Sequence, residues 1–286
     1  MQQNSLWLSI SLFCDREHWH TLLYKGIMPF VKGASAQLIL DACQLEFNDT
    51  DGENIRLKLL ANKNNSKLLT EKADRYFKQF FVALKLPFKE IQLPPDELFI
   101  PFPPNSIQYG LYTTASSSNL KNCQLETGLS DVMTEALDNQ VIDEESIITL
   151  GFYLHVGLLK VLKHRKLDFA YKDVLQQYTG YASADTGQMY KEYQDSKEML
   201  AEIYEDIMGQ ENYGNIPWLG KWMYLCEEEL NRKTEASEHH LNNIIQNRFI
   251  FLIHTQLGIN KYINFLLWYF IKQVVVSIDD DIAVNN

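Results

Sequence analysis

The sequence predicts an α+β protein: an N-terminal ferredoxin-like βαββαβ sheet region, residues 1–122, packed with a largely helical region over 123–278. Three observations predict it. Period-two alternation of apolar residues is confined to the part before the polar stretch Thr113–Lys121. After that stretch, apolar residues recur at helical spacing. Before it, the pattern runs strand, helix, strand, strand, helix, strand. No linker is long enough to separate two domains, and residues 279–286 read as a polar, flexible tail.

Leu6, Leu8, Ile10, Leu12 and Cys14 share one face of the first strand. His18–Val31 reads as a helix with Leu22, Leu23 and Ile27 inward and Pro29 near its end. Gln37–Phe47 and Glu53–Ala61 are strands joined through Asp51-Gly52, a hairpin signal. Lys67–Leu86 sets Leu69, Ala73, Phe77 and Phe81 at helical spacing, and Phe88–Leu93 reads as a return strand. Leu98–Phe102 and Ile107–Thr114 are further strand candidates in a proline-rich context. The helices expected next are Gly128–Leu137, Glu144–His164, Asp168–Gln177, Gly187–Met208, Pro217–Arg232, Ser237–Leu257 and Asn260–Val276. Ser130 and Ser237 suit N-caps, and Gly258 a C-cap.

With 46% apolar and 22% charged residues, the 286-residue chain can bury a sizeable core. Twenty-six Lys and Arg against 37 Asp and Glu leave a net charge of −11. That sign opposes a nucleic-acid partner and suits a cytoplasmic protein. Leu6–Phe13 lacks the basic flank of a signal peptide, and Phe265–Ile271 falls short of the ~20 residues that span a bilayer, so no membrane insertion is expected. Cys14, Cys43, Cys123 and Cys226 show no paired spacing and read as reduced thiols.

Nucleotide-cradling, zincin and nucleophile-elbow motifs are all lacking, and Cys14, His18 and His20 straddle a strand–helix junction, so no metal or organic cofactor is expected. Two features carry chemistry. Arg56 and Lys58 alternate with Ile55, Leu57 and Leu59, so both cations leave the same strand face about 7 Å apart and could hold a carboxylate. His254 shares a helical stripe with Asn243, Asn247 and Phe251 between apolar flanks, where it could serve as acid or base. A solvated strand face accounts for the two cations better, and a satisfied core histidine accounts for His254 at least as well. On the residues alone, the function stays open.

Taken in order, several segments resemble one family, the lantibiotic-dehydratase C-terminal domain, also called the thiopeptide-type bacteriocin biosynthesis domain. They are Trp7–Phe13, Leu22–Val31, Asn54-Ile55-Arg56-Leu57-Lys58, Gln108-Tyr109-Gly110-Leu111, Leu129-Ser130-Asp131-Val132 and Leu252-Ile253-His254-Thr255. Each motif is degenerate, and the resemblance lies in their succession along nearly the whole chain. It implies tailoring of a leader-bearing ribosomal precursor peptide without metal or organic cofactor. The leading implication is a freestanding lyase that removes glutamate from glutamylated Ser or Thr, with a separate glutamylating dehydratase subunit as partner. Arg56 and Lys58 then match the family's cationic strand and His254 its acid/base histidine, with Tyr109 as a further hydroxyl donor. Alternatives are a [4+2] pyridine-forming cyclase and a non-catalytic subunit that binds leader peptide at a strand edge. A homodimer fits any of them. The chain also departs from the family: Lys58 and Gln108 stand where arginines are usual, Phe102–Asn105 replaces an acidic and basic pair, and Gly258-Ile259 an Asn-Arg pair.

Overall fold

The structure is a computed structural model and describes residues 5–84, 101–110, 123–138, 140–168, 171, 186–209, 216–232 and 238–284. The expected return strand Phe88–Leu93, the N-cap Ser237 and most of the helix Asp168–Gln177 lie outside them. The chain divides into two compact units, Met1–Ser146 with Gln256–Gly258, and Ile147–Thr255 with Ile259–Asn286.

The first unit holds a four-stranded sheet of β1 (Ser5–Phe13), β2 (Ala42–Asn48), β3 (Asn54–Asn62) and β4 (Ser106–Tyr109). Its order is β2-β3-β1-β4 and every neighbouring pair is antiparallel. Strand alternation gives it two faces. Ile10, Leu12, Leu45, Phe47, Ile55, Leu57 and Leu59, all buried, form the apolar one. Ser9, Ser11, Gln44, Glu46, Arg56 and Lys58 form the other. The β2–β3 hairpin turns through Asp51 and Gly52, both at positive φ, as the Asp-Gly pair predicts.

Helix α1 begins with Trp19–Thr21, widens through a π segment, Leu22–Ile27, and continues as Met28–Ala36. The helix outlasts its expected end at Val31. Pro29 directly follows the π turn, whose wider bore accommodates a ring that would clash in a regular helix. Helix α2 (Lys63–Leu84) lies against β1 and β3 and buries Leu69, Ala73, Phe77 and Phe81. Phe30 of α1 packs on Phe77, and Tyr76 donates to the Gly26 carbonyl at 3.0 Å.

Helix α3 (Gln124–Ala136) runs beside the edge strand β2. Ser130 is not its N-cap: the helix starts six residues earlier, and the buried Ser130 hydroxyl accepts the Leu45 backbone N–H at 2.9 Å. An edge donor that would otherwise lack a partner is thereby satisfied by a helix side chain. Gln256 donates to the Glu126 carbonyl in the same place, at 2.8 Å.

Helix α4 (Glu144–His164) starts on an Asp143–Ser146 capping pair. By length and composition alone it could cross a membrane, but Phe152, Leu154, His155, Val156 and Leu158 are all sealed within the protein, so it packs as a core helix. Helices α5 (Thr186–Gly209) and α6 (Pro217–Asn231) follow, the latter opening on a proline. Trp222 of α6 donates its indole N–H to the Leu154 carbonyl at 2.8 Å. Helix α7 consists of Glu238–Ile244, a π segment Ile245–Ile250, and Phe251–Leu257. Gly258 then reverses the chain at φ +63°, the expected C-cap. Helix α8 (Lys261–Val284) packs on α5 and runs into the stretch the sequence pattern gives to the tail.

Candidate functional site

Arg56 and Lys58 sit in the middle of β3, where register sets their neighbours. Arg56 lies between Ser11 and Glu46, and Lys58 between Ser9 and Gln44. Both cations share a face, as alternation requires, but both are buried, at 9% and 8% exposure. The Lys58 ammonium is ion-paired and hydrogen-bonded to Glu46 Oε1. Arg56 Nη2 donates to Asn48 Oδ1 at 2.7 Å. Burial lowers the Arg56 pKa, while the fields of Glu46, Asp51 and Asp49 act in the opposite direction. The strand therefore carries an internally compensated polar layer. Within that layer the Ser11 hydroxyl is 1% exposed and has no hydrogen-bond partner among the described residues.

Tyr109 is on the other side of the sheet. It pairs with Ile10, so it points toward the apolar face, and its hydroxyl donates to Asp74 of α2 at 3.0 Å. Its phenol pKa is raised, first by burial and then by that carboxylate. The residue on the Arg56 side of β4 is Gln108, opposite Ser11. The hydroxyl expected beside the two cations is thus a strand-to-helix tie.

His254 lies in the second unit, in the last turns of α7. Of the expected stripe, Asn243, Asn247 and Phe251 stay exposed together across the π segment Ile245–Ile250, and His254 turns inward from them. Asn247 bonds to Asn243, whereas Phe251 is 64% exposed and His254 only partly accessible. His254 Nε2 lies 3.0 Å from Nε2 of His155, at the centre of α4. His155 Nδ1 lies 3.0 Å from the hydroxyl of Tyr171. Trp268 of α8 meets both imidazoles edge-on, with centroids at 5.0 and 6.0 Å. His155 is fully buried and its pKa is held well below 6.5, by desolvation first and by His254 second. Burial lowers His254 to about 4. At neutral pH both rings are uncharged, so one nitrogen of the close pair donates and the other accepts.

The outer member of this chain, His254, is the residue the sequence singles out. His155 and Tyr171 are the ones it hides. The available signal was a single histidine in the middle of the long apolar run Ile147–Leu162. Among the described residues no group of three or more His, Cys, Asp or Glu gathers into a metal-binding cluster.

A separate groove of about 320 Å³ opens in the first unit between α1 and α2, lined by Phe30, Ala34, Gln37, Ile39, Lys72 and Arg75 among others. Lys72 there already bonds to Gln37. None of the four residues singled out by the sequence lines it.

Two solved structures are similar in fold along nearly the full length of the chain. One is a pyridine synthase, TbtD, from thiomuracin biosynthesis, with 14% identity over 95% of this chain and 98% of that chain and a TM-score of 0.64. The other is TsrL, with 11% identity over 96% of each chain and a TM-score of 0.64. The likeness is one of fold. No family model matches the sequence, and no curated protein does.

Proposed function

We propose that the chain tailors a ribosomally made, leader-bearing peptide in the cytoplasm, by joining two dehydroalanines in a pyridine-forming cyclisation with His254 as proton donor. The observation that carries this reading is the likeness to a pyridine synthase along nearly the full length of both chains. The β2-β3-β1-β4 order with its two connecting helices is read as ferredoxin-like.

The chemistry asks little of fixed charge. The amide beside one dehydroalanine must shift a proton from nitrogen to oxygen to become the azadiene, which then adds across the second alkene. Loss of water and of the leader as its carboxamide makes the ring aromatic. An uncharged imidazole at a partly accessible position can donate to the amide oxygen and to the departing hydroxyl. Glutamate elimination, by contrast, asks Arg56 and Lys58 to receive a released dicarboxylate, and these two cations already serve Asn48 and Glu46. Leader binding by strand addition to β2 would compete at Leu45 with Ser130, which takes that N–H.

Incubating the purified protein with a leader-bearing peptide that carries two dehydroalanines tests the reading by mass. Cyclisation gives a product lighter by water plus the leader carboxamide, and His254→Ala abolishes it. Conversion of a glutamylated peptide to dehydroalanine would instead establish elimination, and binding without any mass change would establish a scaffold.

A further inference from the structure

We infer that Tyr171 and His155 are positioning residues that fix the tautomer of His254: Tyr171 Oη–H donates to His155 Nδ1, His155 Nε2–H donates to His254 Nε2, and His254 keeps its proton on Nδ1. The catalytic use of that proton rests on the proposed cyclisation; the tautomer itself does not.

The contacts leave only two directions for the chain. Tyr171 to His155 and His155 to His254 are both 3.0 Å, and each bond holds one proton between its heavy atoms. If the chain ran outward to inward, His254 Nε2–H would donate to His155, and His155 Nδ1–H would donate to the phenol oxygen. That direction pairs a weak N–H donor with a weak phenol acceptor. Run from Tyr171 outward, the more acidic phenol O–H meets the more basic imidazole nitrogen, which is the stronger match. With Tyr171 and His155 at 1% and 0% exposure, water does not compete for the bond between them, and consecutive bonds polarise one another.

Packing holds the rings in place for this. The His155 and His254 centroids are 5.2 Å apart, and Trp268 contacts both rings and Tyr171. The π segment Ile245–Ile250 ends directly before the turn that carries His254, and Arg248 within it bonds to the buried Glu229 at 3.0 Å. The helix phase that aims His254 at His155 is therefore anchored by an ion pair. Fixing one tautomer spares the resting enzyme a population of wrongly protonated His254, as other histidine sites achieve through a carboxylate.

The test is ¹⁵N-histidine NMR of the full chain at pH 7, reading the protonated nitrogen of each ring from long-range ¹H–¹⁵N correlations and assigning His254 by its loss in His254→Gln. Wild type should show His254 protonated on Nδ1 and His155 on Nε2. In Tyr171→Phe the direction is lost and both rings should become tautomeric mixtures, while His155→Gln, whose amide can still donate, should keep His254 on Nδ1. In peptide cyclisation, Tyr171→Phe should lower kcat with KM unchanged. A wild-type His254 protonated on Nε2, or a Tyr171→Phe spectrum matching wild type, overturns the proposal. Should Tyr171→Phe fail to fold, the wild-type and His155→Gln spectra decide it. Expected spectra without any cyclisation would remove the proposed reaction alone; turnover with the opposite tautomer would remove the relay alone.

Discussion

Acidification should expose the burial of His254 as a loss of stability that a single substitution cancels. The folded-state pKa of about 4 lies below the ordinary value of 6.5. As pH falls through 6.5 the unfolded chain takes up the proton first, so stability is full above 6.5 and declines until about pH 4. Integrating between those two values gives about 1.4 kcal/mol lost by pH 5.5 and about 3 kcal/mol by pH 4. Carboxylates titrate over the same range, so the wild-type curve alone is not diagnostic. His254→Gln removes this titration, keeps a polar group beside His155, and leaves His155 and every carboxylate in place. Urea unfolding of both proteins at pH 7, 5.5 and 4 then gives the difference between them. Relative to the variant, wild type should lose about 3 kcal/mol from pH 7 to 4. A difference that does not change with pH would mean that His254 accepts a proton in the folded protein as readily as in the unfolded one, and would refute the neutral imidazole pair.

The Glu46–Lys58 pair should behave as a buried one. Glu46→Gln alone should cost about 3–5 kcal/mol in the same urea assay, and the double variant Glu46→Gln/Lys58→Met should regain most of it. Gly258→Ala should lower Tm markedly. Its φ of +63° costs a Cβ-bearing residue about 1–2 kcal/mol, and the new Cβ would lie 2.3 Å from the Phe47 carbonyl oxygen, a backbone atom that cannot swing aside. Thiol titration of native protein should find at most one prompt thiol, the half-buried Cys43, and four in denaturant. Burial pushes Cys14 up to about 12 and raises Cys226, which keeps the reactive thiolate scarce.

Local rules were enough for most elements. Alternation located β1 and β3 to within a residue, Asp51-Gly52 located their neighbouring turn, and helical spacing gave α4 its full extent. Where one extra residue enters a helix turn, spacing loses its meaning, and no sequence pattern announces it. That is why the wide turn at Ile245–Ile250 was not legible, although Asn243, Asn247 and Phe251 stay exposed together and only His254 turns inward. Facing was legible within a strand but not between strands. Arg56 and Lys58 had to share a side, whereas the side of Tyr109 depended on how β4 registers against β1. The partners of a charged residue are likewise a matter of register: Glu46 reaches Lys58 only because β2 pairs with β3 as Glu46↔Arg56 and Gln44↔Lys58. Ser130 misled in the same manner, reading as a cap when its partner is a strand amide far away in sequence.

Magnitudes decide which chemistry the arrangement can host. A departing glutamate gains about 1.5–3 kcal/mol from each hydrogen bond to a charged group. To provide one, Lys58 would have to leave Glu46, and an uncompensated buried charge costs about 3–5 kcal/mol. The cost matches or exceeds the gain unless Glu46 is itself protonated or displaced. Arg56 is likewise committed: it is buried, donates to Asn48, and lies in the fields of Glu46, Asp51 and Asp49. His254, on the other hand, has a low basicity that keeps the ring uncharged throughout the neutral range. A site of neutral donors is matched to a reaction in which no charged group departs, and cyclisation of two dehydroalanines is such a reaction.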